Sequence, residues 1–189
     1  MNHLRLYRII RGLFIVFISF IAMLLIVSFF LPSEHTTRAR YLILSKPENV
    51  YPYIGDLKQW YKWNYWLKTG DSTLKARVTG EEYSPKQTLV WYSDESGNGS
   101  ITITWKRPPR GVKYEIFIDE NMFYVNGEFT LTEDPRGVLL TWQETFAPEN
   151  KIFGKYALLL INVLAPQDHE RSFKRLEKLL DASTLVYLQ

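Results

Sequence analysis

The chain has 189 residues, 23 of them basic and 20 acidic, and no cysteine. Arg5, Arg8 and Arg11 account for the whole formal surplus of +3, and from Pro32 onward 20 basic residues balance 20 acidic ones. A nucleic-acid surface needs a basic face at domain scale, which this balance excludes. The absence of thiols leaves no disulfide to form, so the redox compartment stays open.

Residues 1–12 form a basic tail. Leu13 to Leu31 follows as a run of 19 residues without charge, Gly or Pro, and only Ser19 and Ser28 in it are polar. As a helix at about 1.5 Å per residue the run spans roughly 28 Å, close to the hydrocarbon thickness of a bilayer. Residues 13–31 are therefore predicted to be one transmembrane helix. A buried core helix would carry more polar positions. A cleaved signal peptide would end in a small-x-small site, which Ser28-Phe29-Phe30-Leu31-Pro32 does not offer. The basic tail favours a cytoplasmic N-terminus and an extracytoplasmic domain, although Arg38, Arg40 and Lys46 nearly match it on the other side.

Residues 32–36 are a short linker. Five extended residues reach only about 17 Å, so the following domain, residues 37–182, must ride close to the bilayer. Within it, Thr37–Leu44 reads as a strand. Ser45 and Glu48 are spaced as a capping box, with Pro47 near the helix start, and predict a helix over 46–54 that ends at Gly55. A second short helix is predicted over Leu57–Tyr61. Six strand-like runs follow, Leu74–Val78, Thr88–Ser93, Ser100–Lys106, Val112–Asp119, Gly127–Thr132 and Val138–Phe146, with turn sequences such as Asn98-Gly99 and Asp134-Pro135-Arg136-Gly137 between them. Ile152–Leu164 and Pro166–Ala182 read as helices, with Pro166 as a kink or first-turn residue. Residues 183–189 are a tail.

Antiparallel pairing of these strands gives an α+β fold: a curved sheet of about seven strands that must cover one apolar face. Ile101, Ile103 and Trp105 alternate with threonines, Tyr114, Ile116 and Ile118 with charged residues, and Leu140 and Trp142 with Thr141 and Gln143. The cover is a long C-terminal helix. Tyr156–Leu164 is apolar nearly all round, and Phe173, Leu176 and Leu180 make a helical stripe. Lys106, Arg107, Arg110 and Lys113 surround Pro108-Pro109 at a hairpin tip. They read as a solvated turn, or as a tip touching anionic headgroups.

Signs of catalysis are few. There is no nucleophile elbow, phosphate loop or dinucleotide fingerprint. His3 and His35 flank the span. His169, in Asp168-His169-Glu170, reads as a solvated helix residue without partners at metal-ligand spacing, so no metal and no cofactor are expected. Glu144 shares the parity of Leu140, Trp142 and Phe146 and points inward. A carboxylate there needs hydrogen bonds or water, and it is the one weak candidate for acid–base work. Seven of the sixteen residues from Tyr51 to Trp66 are Tyr or Trp, which reads as core, as a cavity lid or as a membrane-interface belt.

Arg40 through Trp66 resembles the start of the polyketide cyclase/dehydrase and lipid-transport group of the START-like (SRPBCC) superfamily. The likeness lies in a basic strand, the helix Lys46-Pro47-Glu48-Asn49-Val50-Tyr51-Pro52-Tyr53, Asp56-Leu57, and the run Trp60, Trp63, Asn64, Trp66. Gly99–Thr104, Gly127-Glu128-Phe129-Thr130-Leu131, Thr141-Trp142 and Pro166–Leu179 continue it in order. The resemblance implies the helix-grip (START-like) fold, with an apolar ligand in a cavity between sheet and long helix, and it implies no shared reaction. Bacterial members also carry a span directly before the domain, which implies a bacterial cell membrane. Residues placed to line such a cavity are Trp63, Trp66, Trp91, Trp105, Tyr114, Ile116, Trp142, Glu144, Tyr156 and Leu160. The expected partners are the bilayer, through residues 13–31, and a lipid or other hydrophobic small molecule. No protein partner is indicated. The leading reading is a membrane-anchored binding protein. The alternative is a small cyclase or dehydratase using Glu144, and a third is an anchored module with a filled core.

Overall fold

In the computed structural model of the protein, residues 3–68, 72–82, 84–95, 97–118 and 122–186 are described, with the side chains of residues 3–6, 68 and 182–186 left aside. The first element, α1, is the helix His3–Phe30. Its stretch Tyr7–Phe30 is long and apolar enough to cross a membrane, and almost nothing in the molecule covers it. The exception is a stripe near its C-terminal end, where Ile21, Leu24 and Val27 are half-buried and Ser28 is buried. Strand β1 begins at His35 and runs to Ile43, so Leu31–Glu34 is all that joins it to α1.

Helices α2, Pro47–Gly55, and α3, Leu57–Trp63, follow. The predicted capping box does not form. Lys46 precedes Pro47, and a residue before proline is held extended; its φ of −79° and ψ of 153° make it the cap, without a side-chain bond to the helix. Ser45 instead accepts a hydrogen bond from Asn49 Nδ2. The α3 cap is Asp56, whose Oδ1 accepts from the Lys58 amide at 3.0 Å and from Gln87 Nε2 at 2.7 Å. Gln87 Oε1 in turn accepts from the Leu57 amide, so this buried glutamine fixes the start of α3 to the sheet.

After a 3-10 turn at Trp66–Lys68 come β2 (Lys75–Thr79), β3 (Thr88–Tyr92), β4 (Gly99–Arg107), β5 (Gly111–Ile118), β6 (Phe123–Asp134) and β7 (Gly137–Pro148). The sheet has seven strands in the order β1-β7-β6-β5-β4-β3-β2, every neighbour antiparallel. Helix α4, Gly154–Val186, is a single element of 33 residues, with Pro166 inside it rather than between two helices. Its buried stripe, Ala165, His169, Ser172, Phe173, Leu176 and Leu180, lies against β1, β7, α2 and α3. Sheet, α2, α3 and the C-terminal half of α4 form the helix-grip arrangement.

Two expected inward positions turn out otherwise. The β4–β5 register shifts between Ile103 and Trp105. This bulge puts an extra residue in the strand and reverses the alternation beyond it. Trp105 therefore faces outward, 41% exposed, beneath the Lys113 ammonium at 5.9 Å. The apolar N-terminal half of α4 is not enclosed all round either: Leu158 is buried, but Leu159, Leu160, Val163 and Leu164 are exposed.

Candidate functional site

The inner face of the sheet carries one polar cluster, and a glycine makes it possible. Tyr114 on β5 pairs with Gly127 on β6, and Gly127 pairs with Glu144 on β7. With strands about 4.8 Å apart, Tyr114 and Glu144 stand roughly 10 Å apart at the backbone. Any side chain on the strand between them would block their approach. A Cβ on Gly127 would lie 2.0 Å from Tyr114 Cζ, so the ring occupies the space that a side chain would take. The Tyr114 hydroxyl reaches across and donates to Glu144 Oε1 at 2.7 Å. The Trp142 indole N–H donates to the same Tyr114 oxygen at 2.6 Å.

The other carboxylate oxygen, Glu144 Oε2, lies 2.8 Å from His169 Nε2 on α4. The His169 ring rests on Trp142 with centroids 4.1 Å apart. Both partners are dry: Glu144 is 5% exposed and His169 2%. A carboxyl in such surroundings is tolerated because each oxygen has a hydrogen-bond partner. The pair has a proton to share between Oε2 and Nε2. Nδ1 of His169 is buried with no hydrogen-bond partner among the described residues. Burial, followed by the charge of Glu144 and the hydrogen bond to it, raises the Tyr114 hydroxyl well above the ordinary tyrosine range, against a smaller opposing pull from Trp142. Tyr114 thus stays protonated and acts as a donor.

Aromatic rings wall the cluster. Trp60, Trp63, Tyr114, Phe129, Trp142 and Phe173 pack in a continuous set with centroids 4.9 to 5.9 Å apart. They occupy the space between sheet and α4 that the sequence reading left for a ligand. Three of the clefts formed by the described residues, of about 750, 520 and 330 Å³, are lined by loop, strand and α2 residues. The largest of these three lies beside the outward Trp105, with Arg107, Arg110, Glu128 and Glu133 on its walls.

Of the candidate lining residues, Trp63, Tyr114, Trp142 and Glu144 come together here. Trp91 and Ile116 are buried in the same core, and Trp66 is half-buried against Trp91 at 5.1 Å. Trp105 faces out. Leu160 is 65% exposed. Tyr156 turns away from the sheet, its hydroxyl donating to the Leu24 carbonyl of α1. His169 is not the solvated residue its Asp and Glu neighbours suggest. Its spacing of four, seven and eleven residues from Phe173, Leu176 and Leu180 places it on the buried stripe, and that spacing was the signal for it.

A family model described as polyketide cyclase / dehydrase and lipid transport matches residues 35–181. No curated protein sequence matches the chain. Among solved structures, an uncharacterised protein from Rhizobium leguminosarum has a TM-score of 0.59 at 13% identity, over 79% of this chain and 95% of that one. The di-domain ARO/CYC StfQ from the steffimycin biosynthetic pathway has a TM-score of 0.57 at 10% identity, over 80% of this chain and 52% of that one. The di-domain ARO/CYC BexL from the BE-7585A pathway has a TM-score of 0.58 at 13% identity, over 77% and 50%. At these identities the likeness is one of fold.

Proposed function

The chain belongs to the polyketide cyclase / dehydrase and lipid transport family, and from that premise we propose that it is a membrane-anchored binding protein for a lipid or other hydrophobic small molecule. The observation that carries this reading is the double attachment of α4. One end of this helix closes the sheet over the Glu144–His169 pair, and the other end is hydrogen-bonded to α1 through Lys155 and Tyr156. In this reading the end of α4 that meets α1 lies where apolar molecules partition. Residues 13–31 are the anchor in this reading, and the arginine-flanked tail faces the cytoplasm. Because rings fill the interior, an entering ligand has to displace some of them. Its polar end then meets Glu144 and the unpartnered Nδ1 of His169, which supply an acceptor and a proton-sharing pair.

Native mass spectrometry of the full chain in detergent, with tryptophan emission followed against a lipid panel, tests the proposal. Co-purifying lipid, and an emission shift that Trp63→Phe or Trp142→Phe reduces, is the expected result. A chain that stays ligand-free, with emission unchanged throughout, overturns it and leaves an anchored module with a filled core.

The Glu144–His169 pair favours one second reading, a small cyclase or dehydratase in which Glu144 moves a proton. Turnover of an apolar substrate that survives Glu144→Gln unchanged removes Glu144 from that chemistry.

A further inference from the structure

The segment Ile152–Leu164 meets the molecule in an unusual way. It holds six exposed large apolar residues, Ile152, Phe153, Leu159, Leu160, Val163 and Leu164. Lys155 is its only charged residue, and Asn162, three residues after Leu159, is exposed at one edge of the apolar face. A face of this kind on a water-soluble surface is costly, and contiguous exposed apolar patches mark interaction sites.

Its place beside α1 indicates what covers it. Ser28 Oγ donates to the Ile152 carbonyl at 3.1 Å. Lys155 Nζ donates to the Ser28 carbonyl at 3.0 Å, one of the last four carbonyls of α1, which have no partner inside their helix. The ammonium thereby also meets the negative end of the α1 dipole. The Tyr156 hydroxyl donates to the Leu24 carbonyl, seven residues and so about 10 Å before the end of the apolar run at Leu31. The half-buried stripe of α1, Ile21, Leu24, Val27 and Ser28, carries both carbonyls and the serine hydroxyl that these bonds use. Tyr and Lys at this level are the side chains that suit the boundary between headgroups and acyl chains.

We infer that Ile152–Leu164 is a second membrane-contacting element, which lays its apolar face into the headgroup–acyl boundary of the bilayer beside the end of α1. The inference rests on the reading of α1 as a membrane anchor. The domain is then held to the lipid at two places: the span, and the first third of its own closing helix.

The chain has no cysteine, so single cysteines can report position by position. Full-length chains carrying Leu160→Cys, Val163→Cys, Phe17→Cys or Tyr92→Cys are labelled with an environment-sensitive fluorophore. They are then reconstituted in phosphatidylcholine–phosphatidylglycerol vesicles containing phosphatidylcholine doxylated near the headgroup or at mid-chain. All four positions are exposed on the molecule itself, so the labels displace no packing. Labels at 160 and 163 should lose most of their emission to shallow doxyl lipid and gain several-fold protection from iodide relative to the Tyr92 label. The Phe17 label should respond to mid-chain doxyl lipid. Labels at 160 and 163 as open to iodide as Tyr92, with Phe17 still quenched by lipid, overturn this inference alone. Labels there shielded from both iodide and doxyl lipid also overturn it, because protein, such as a second copy, then covers α4. A Phe17 label open to iodide overturns the anchor, and this inference with it.

Discussion

At the scale of the residue, Gly127 controls more than its size suggests. It has no catalytic atom, yet the Tyr114–Glu144 hydrogen bond crosses over it, and a methyl group there would stand 2.0 Å from the tyrosine ring. Gly127→Ala should therefore force Tyr114 off its rotamer and cost about 1–3 kcal/mol, the usual range for overpacking, read as a fall in thermal midpoint. Tyr114→Phe acts in the opposite sense sterically but leaves one oxygen of Glu144 and the Trp142 N–H without their partner. A buried group so orphaned costs about 1–3 kcal/mol. Tyr114 also sets a pH dependence. Tyrosine in the unfolded chain ionises near pH 10, while folded Tyr114 holds its proton well above that. Unfolding then releases a proton, and stability falls as pH rises above about 10 and is flat below it. Tyr41, Tyr61 and Tyr124 are raised as well, so midpoints measured from pH 8 to 11 should fall less steeply in Tyr114→Phe than in the parent, without losing the slope entirely.

At the scale of the element, α4 and β4 separate what pattern can reveal from what it cannot. Pro166 sits within α4, where it has no N–H to offer the Asn162 carbonyl and its ring crowds the preceding turn. It is exposed, so Pro166→Ala should raise stability, by up to about 3 kcal/mol, in a denaturant titration. A loss instead would mean that Pro166 shapes α4 so that it reaches both of its contacts. The strands were legible because period-two alternation survives wherever one face is dry. That parity placed Tyr114, Ile116, Trp142 and Glu144 inward, where they are. It failed at Trp105, because a bulge is decided by pairing with β5 and leaves no mark in the alternation of β4 alone. Ser45 failed as a cap because the pre-proline restriction at Lys46 overrides the box spacing. In α4 the composition misled twice. Flanking acids disguised His169, and apolarity around Leu160 suggested a gripped helix where Leu159, Leu160, Val163 and Leu164 are exposed. The likeness between a core helix and a lipid-facing one is physical, since both are apolar. Only the neighbours of the segment distinguish them.

At the scale of the whole molecule, the tryptophans record how the interior is filled. Trp60, Trp63, Trp91 and Trp142 are fully buried and Trp66 partly so, which leaves Trp105 as the most exposed. Acrylamide should quench a minor fraction of the emission of the native protein, and Trp105→Phe should remove most of that fraction. Extensive quenching that persists in Trp105→Phe would show an interior open to solvent. The overall arrangement is a neutral domain on a link of four residues, Leu31–Glu34, so it is held by geometry more than by charge. One consequence concerns α4 as a mechanical part. From Tyr156, bonded to α1, to His169, bonded to Glu144, the same helix runs for thirteen residues, about 20 Å, with Pro166 inside it. Pro166, where one backbone bond is missing, is the one place in that stretch where the helix is free to bend. Under the anchor proposed above, a lipid layer that changed the tilt of α1 would slide or roll His169 against its carboxyl partner, unless the helix bent at Pro166 first.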